Sequence, residues 1–297
     1  MPKLISNLVR KQISLLSPLL DRMELDAYRK FQDALGALGA VVLAGAVAYE
    51  DQPMENCECA WALPADPADG RAILYLHGGA YTCGTLAYAR GFGGVLAELT
   101  QYRTLCVGYR LAPEHPFPAA LDDAMDAYRL MLDRCPAKGV AVVGESAGGG
   151  LCYALALRCR DEGLPQPGCI FALSPWTDLT LNSPGVELRR DLDPVLRPEI
   201  LRIHAASYAG DDLTNPLVSP LFADLRGLAP SMIIAGSDEI ILDDSTRMAE
   251  RLIAAGARCE LHVEEGMWHV YVLYGVPEAR EAQQRMRAFV WRETGDG

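Results

Sequence analysis

The stretch that decides the fold is Val140-Ala-Val-Val-Gly-Glu-Ser-Ala-Gly-Gly-Gly-Leu-Cys-Tyr-Ala-Leu-Ala-Leu157. Val140 to Val143 is a short β-branched, apolar run with the length of a buried strand. Gly149, Gly150 and then Leu151 to Leu157 begin a helix. Between the two lies Gly144-Glu145-Ser146-Ala147-Gly148, a G-x-S-x-G pattern in the strand–turn–helix context that a nucleophile elbow requires. The flanking glycines let the chain turn sharply, so Ser146 is presented above a sheet and beside the positive end of a helix.

Outward from this stretch, short apolar runs alternate with helical patterns from residue 72 onward. This predicts an α/β fold, with a mostly parallel sheet covered by helices on both faces. The expected strands are Ala72 to His77, Thr104 to Tyr109, Val140 to Gly144, Cys169 to Ser174, Ser231 to Ser237 and Cys259 to Glu264. Leu121, Met125, Tyr128 and Leu132 recur at helical spacing, and Ser245 to Ala255 and Pro277 to Glu293 read the same way. Residues 1–45 read as amphipathic helix. Residues 179–216 are rich in proline and charge, with a helix near Pro198 to Tyr208, and both segments are expected to form a cap over a site. The catalytic domain is then 46–178 together with 217–297.

The 297 residues carry 27 Lys+Arg against 39 Asp+Glu, a net charge of −12. That balance gives no basic footprint for nucleic acid or for an anionic membrane surface, and reads as a solubility feature. The nine cysteines scatter through apolar runs, and Cys57-x-Cys59 lacks zinc-site spacing. They read as reduced, buried thiols, without disulfide or metal, in a cytoplasmic protein. Lys3, Arg10 and Lys11 precede Ile13 to Leu20, but Asp21, Arg22 and Glu24 follow with no small-residue cleavage site. The longest uncharged stretch, Ala34 to Tyr49, is too short and too rich in glycine for a membrane span.

A serine hydroxyl needs a base to attack at neutral pH, and the base needs an orienting carboxylate. Of five histidines, His77 precedes the nucleophile, His115 lies in a proline-rich loop, His204 lies in the cap segment and His262 alternates along a strand. His269, in a loop before the last helix, is the expected base. Asp238, just past the strand Ser231 to Ala235, is the expected acid, since ligands gather at the carboxyl ends of strands. Its rivals Asp243 and Asp244 read as a helix start. In His77-Gly78-Gly79-Ala80-Tyr81, small residues after a strand let N–H groups approach a developing oxyanion. Gly78, Gly79 and Ala80, with the N–H of Ala147, are the expected donors, and Tyr81 is a candidate substrate contact.

Six segments occur together in order over residues 70 to 275. They are His77-Gly-Gly-Ala-Tyr81, Tyr109-Arg-Leu-Ala-Pro-Glu-His-Pro-Phe-Pro118, Gly144-Glu-Ser-Ala-Gly-Gly149, Leu173-Ser-Pro-Trp-Thr-Asp178, Gly236-Ser-Asp-Glu239 and Gly266-Met-Trp-His269. In this set the chain resembles the hormone-sensitive lipase family of α/β-hydrolases, the bacterial family IV esterases. The resemblance implies a cap built from N-terminal helices and the insertion after Trp176, and a Ser146/Asp238/His269 triad. It further implies hydrolysis of short- to medium-chain acyl esters or lactones without cofactor or metal, and a homodimer formed through the last strand. Amidase or acyltransferase chemistry on the same triad is an alternative, as is a catalytically silent receptor on this scaffold, of which the plant gibberellin receptor is an example. One departure is Ala80, where the family has a third glycine. Its N–H remains a donor if φ is negative there. Asp178, Glu114-His115 and a buried Arg110 with a carboxylate partner read as scaffold.

Overall fold

Each apolar run becomes a strand whose alternate side chains face opposite layers, which is why the runs are continuous rather than alternating. The computed structural model describes residues 2–295, with side chains from residue 4 onward; the predicted domain limits at residues 1 and 297 lie outside that range. The strands among the described residues are β1 (Val47–Pro53), β2 (Glu58–Pro64), β3 (Ala72–Leu76), β4 (Arg103–Gly108), β5 (Val140–Glu145), β6 (Cys169–Leu173), β7 (Ser231–Gly236) and β8 (Cys259–Glu264). The helices are α1 (Pro2–Leu20), α2 (Leu25–Val42), α3 (Leu86–Thr100), α4 (Ala119–Leu132), α5 (Ala147–Asp161), α6 (Pro184–Leu188), α7 (Pro198–Ala209), α8 (Leu242–Ala254) and α9 (Pro277–Thr294).

The strands form one sheet in the order β1-β2-β4-β3-β5-β6-β7-β8. β1, β2 and β4 pair antiparallel, and the remainder of the sheet, from β4 to β8, is parallel. Ala72, Leu74 and Leu76 of β3, with Val140 and Val142 of β5, bury against α4 and α5. Their neighbours Ile73, Tyr75, Ala141 and Val143 bury on the other face with Phe92 and Leu96 of α3 and Met286 and Phe289 of α9. Full burial of each Leu, Ile or Val contributes about 1.5–3 kcal/mol, so the two layers hold the central strands rigidly.

Sequence periodicity did not mark β1 and β2. β1 carries Glu50 and Asp51 in a half-exposed edge position and has no apolar run, so only its pairing with β2 makes it a strand. Just before β1 in the chain, α2 lies directly on α3, because Gly36 and Gly91 have no side chains to separate the two backbones.

Register fixes where the chemistry can occur. Leu76 pairs with Gly144, and Glu145 with Leu173, so the loops leaving β3, β5 and β6 emerge side by side at one edge. β7 and β8 end level with each other, Gly236 opposite Glu264, so the loops that follow them open onto the same edge.

Candidate active site

Ser146 occupies the turn between β5 and α5 with φ 54° and ψ −121°, a conformation costing a serine about 1–3 kcal/mol. The surroundings impose it. Its N–H donates to the Leu173 carbonyl at 2.9 Å, and its own carbonyl accepts from Trp176 N–H at 2.9 Å and Gly150 N–H at 3.1 Å. A Cβ on Gly148 would overlap the carbonyl oxygen of Leu76, and one on Gly144 the carbonyl of Gly148, so no other residue closes this turn.

The Ser146 hydroxyl lies 2.9 Å from His269 Nε2. On the far side of the ring, Nδ1 lies 3.2 Å from Oε2 of Glu239, which is fully buried. An ionised carboxylate only accepts, so Nδ1 carries the proton, and Nε2 is left to accept from the Ser146 hydroxyl. Glu239 is itself fixed: its Oε1 accepts from the Ser174 hydroxyl at 2.6 Å and from the Gly236 N–H. Ser174 also accepts from Val270 N–H at 3.1 Å, tying the acid to the loop that carries the histidine.

The carboxylate at the histidine is therefore Glu239, not the expected Asp238. Asp238 faces the opposite way, its Oδ2 accepting from Arg10 of α1 at 2.6 Å, while its backbone N–H donates to the Met267 carbonyl. Adjacent residues in the turn after β7 point to opposite sides, and the longer glutamate side chain is the one aimed inward. Asp243 and Asp244 fall in the first turn of α8 but bond outside it. Asp244 accepts the N–H groups of Thr177 and Asp178 at 2.8 and 2.7 Å, and Asp243 holds Gly185 N–H and Arg189.

Gly78, Gly79 and Ala80 line the cavity in front of Ser146 and His269. The N–H of Gly78 is already committed, donating to Glu145 Oε1 at 2.6 Å, so it is unavailable to a substrate oxygen. Gly79, Ala80 and Ala147 are the donors that remain. Ala80 has φ 53°, so the negative value on which its donation is expected to depend is not met, but no backbone acceptor among the described residues takes its N–H, which leaves it a candidate donor; Tyr81 follows at 62°. The left-handed region costs an alanine about 1–2 kcal/mol, partly offset by the lower entropy of its unfolded chain. Ala80→Gly is expected to be neutral or stabilising by up to about 1 kcal/mol in urea unfolding, with ester turnover retained. A loss of stability would show that the alanine methyl contributes packing that outweighs the strain.

Tyr81 is 1% exposed and stacks on Tyr208 with ring centroids 3.8 Å apart, so it is a packing residue and not a lining one. Arg110 pairs bidentately with fully buried Asp123, while Asp178 pairs with Arg247 and Glu114 with Arg29. Arg110 itself is only partly buried.

The cavity measures about 520 Å³. Its outer wall comes from the two segments outside the α/β alternation: Leu20, Met23 and Leu25 from the N-terminal helices, and Leu196, Ile200 and His204 from the insertion. Two buried carboxylates near it went unread in the sequence. Asp193 accepts from Val195 and Leu196 N–H and from Ile240 N–H, the residue after Glu239, and burial raises its carboxyl to about 6. Glu145 is raised to about 7, again by burial. Neither carries a motif signal beyond Glu145's place inside G-x-S-x-G.

A carboxyl raised in the folded state favours folding while protonated, and that contribution is lost as pH rises through about 7 for Glu145. Glutamine keeps an acceptor for Gly78 N–H but carries no charge. Glu145→Gln is therefore expected to gain about 3 kcal/mol relative to wild type between pH 5 and pH 9, measured by urea unfolding at both. A difference that does not vary with pH contradicts the burial of a titrating carboxyl at this position.

Comparison with known proteins bears on the fold and the family. Residues 73–273 match the family model described as alpha/beta hydrolase fold. An acetyl-hydrolase of Streptomyces hygroscopicus is 37% identical over 279 residues, covering 91% of this chain and 90% of that protein. An esterase of Acinetobacter venetianus is 36% identical over 74% of each chain. Among solved structures, a hormone-sensitive lipase from a metagenome library superposes with a TM-score of 0.89 at 34% identity, covering 97% of this chain and 98% of that one.

Proposed function

The chain belongs to the hormone-sensitive lipase family of α/β-hydrolases, and on that premise we propose that it is a serine carboxylesterase acting on short- to medium-chain acyl esters through an acyl-enzyme. The observation that carries this reading is the unbroken line Ser146–His269–Glu239, at 2.9 and 3.2 Å, opening on a cavity beside free backbone donors.

His269 Nε2 takes the hydroxyl proton as Ser146 Oγ attacks the ester carbonyl, and Glu239 stabilises the imidazolium that forms. The N–H groups of Gly79, Ala80 and Ala147 hold the tetrahedral oxyanion. They are set in place by the sheet before the reaction begins, so no reorganisation is needed as charge develops. The alcohol leaves with the proton from His269. Water then enters and attacks the acyl carbonyl, losing a proton to the same nitrogen, and His269 returns that proton to Ser146 Oγ as the acyl–Oγ bond breaks and the acid leaves. The helices of residues 1–45 and 179–216 act as the cap that excludes bulk water from this sequence.

A cavity of about 520 Å³ has to hold both acyl and alcohol parts, which favours modest chains. The test is a panel of p-nitrophenyl esters graded by acyl length, with Ser146→Ala as the blank. Highest kcat/KM is expected on the acetate-to-hexanoate members; a maximum on palmitate would overturn the size argument, and a flat blank-level panel the activity itself.

A further inference from the structure

α1 presents the reverse of an ordinary surface helix. Three of its polar residues face the body: Ser6 donates to Glu278 at 2.5 Å, Arg10 bonds Asp238 and the Gly266 carbonyl, and Ser17 donates to the Pro194 carbonyl. Five of its six leucines, with Ile5, face water. Leu4, Ile5, Leu8, Leu15, Leu16 and Leu19 are between 51% and 81% exposed. At about 100° per residue they fall within one arc of about 120°, interrupted by Gln12 alone. α2 repeats the pattern, with Leu35, Leu38, Val41 and Val42 exposed by 53–77%. An apolar surface of this extent left in water marks something that covers it.

Charge decides what. Residues 1–42 hold six Lys and Arg against four Asp and Glu, but Arg10 and Arg29 are turned inward, paired with Asp238 and Glu114, so the sum does not describe the outward face. α1 has no carboxylate at all. Exposed Lys11 borders its apolar arc, and exposed Lys30 lies on the outward face of α2. The whole-chain charge, read as a solubility feature, does not extend to α1, which is free of carboxylates. Anionic head groups complement a lysine at the border of an apolar arc whose own helix carries no carboxylate. The face also ends at the right place, since Leu20, Met23 and Leu25, at the junction of the two helices, line the cavity.

We propose that the outward faces of α1 and α2 dock on an anionic lipid–water interface, so that the cavity receives ester substrates partitioning from that surface. The docking does not depend on the catalytic reading, because binding is measured with the nucleophile removed. Full-length Ser146→Ala is sedimented with vesicles of phosphatidylcholine alone and with about 30 mol% phosphatidylglycerol added. Binding is expected to rise several-fold with the anionic lipid, and that increment to vanish in Lys11→Glu/Lys30→Glu. Adding Leu8→Glu/Leu15→Glu to the parent is expected to weaken binding at least tenfold. In the Ser146 background those two leucine changes should leave kcat/KM on soluble p-nitrophenyl butyrate unaltered, which shows that the site still folds. Failure of the parent to sediment, equal sedimentation of the leucine variant, or equal binding to both vesicle types overturns the proposal. So does a dimer abolished by the leucine changes with no vesicle binding, which would assign the face to a second copy.

Discussion

Ser146→Ala is expected to lower kcat/KM on p-nitrophenyl butyrate by about 10⁴ to 10⁶, leaving only the catalysis that binding and oxyanion donors supply. The loss should fall on chemistry and not on folding. The hydroxyl makes one hydrogen bond, to His269, while the turn is held by backbone bonds to Leu173, Trp176 and Gly150 that alanine keeps. Urea unfolding of the variant is accordingly expected to lie within about 1 kcal/mol of wild type. Residual turnover above one part in about a thousand of wild type would place the nucleophile elsewhere.

The second large effect separates two adjacent carboxylates. In Glu239→Gln the amide oxygen is held at the Oε1 position, where Ser174 and the Gly236 N–H both donate. The NH₂ group then faces His269 Nδ1, which must accept, and the ring proton moves to Nε2, where it blocks transfer from Ser146. The wrong tautomer is expected to cost about 10³ to 10⁴ in kcat with KM little changed. Asp238→Asn touches only the bonds to Arg10 and to the Ser237 hydroxyl, at a site where the Arg10 and Asp238 side chains are about a fifth exposed, and is expected to alter kcat less than about threefold and stability by about 1 kcal/mol or less. Equal losses in kcat for the two variants would return the acid's role to Asp238.

The inversion of Asp238 and Glu239 shows where the sequence stops being legible. Strand ends, the nucleophile turn and the histidine follow from apolar runs and chain order, because each depends on local pattern. Which of two neighbouring carboxylates points inward depends on the turn after β7, whose shape is set by Met267 and Glu264 on another strand's loop. A triad acid is either Asp or Glu, so residue type did not discriminate. The same limit applies to the oxyanion loop. Small residues there are readable, but Gly78 is taken by Glu145, 67 positions away, and the positive φ of Ala80 follows from tertiary packing. Tyr81 reads as a binding residue until Tyr208, from the inserted segment, is seen stacked on it. β1 and the outward leucines of α1 were hidden for a related reason: the first is a strand only through its partner, and the second has the periodicity of a buried helix without the burial.

Activation of Ser146 as a nucleophile by His269 and Glu239 underlies each of these expected results. It is tested most directly by reacting the wild-type protein with a fluorophosphonate and mapping the adduct by mass spectrometry. A single adduct on Ser146, absent in Ser146→Ala and formed far more slowly in Glu239→Gln, is the predicted result. No labelling of the folded protein, as a silent receptor would give, or an adduct on any other residue, contradicts it.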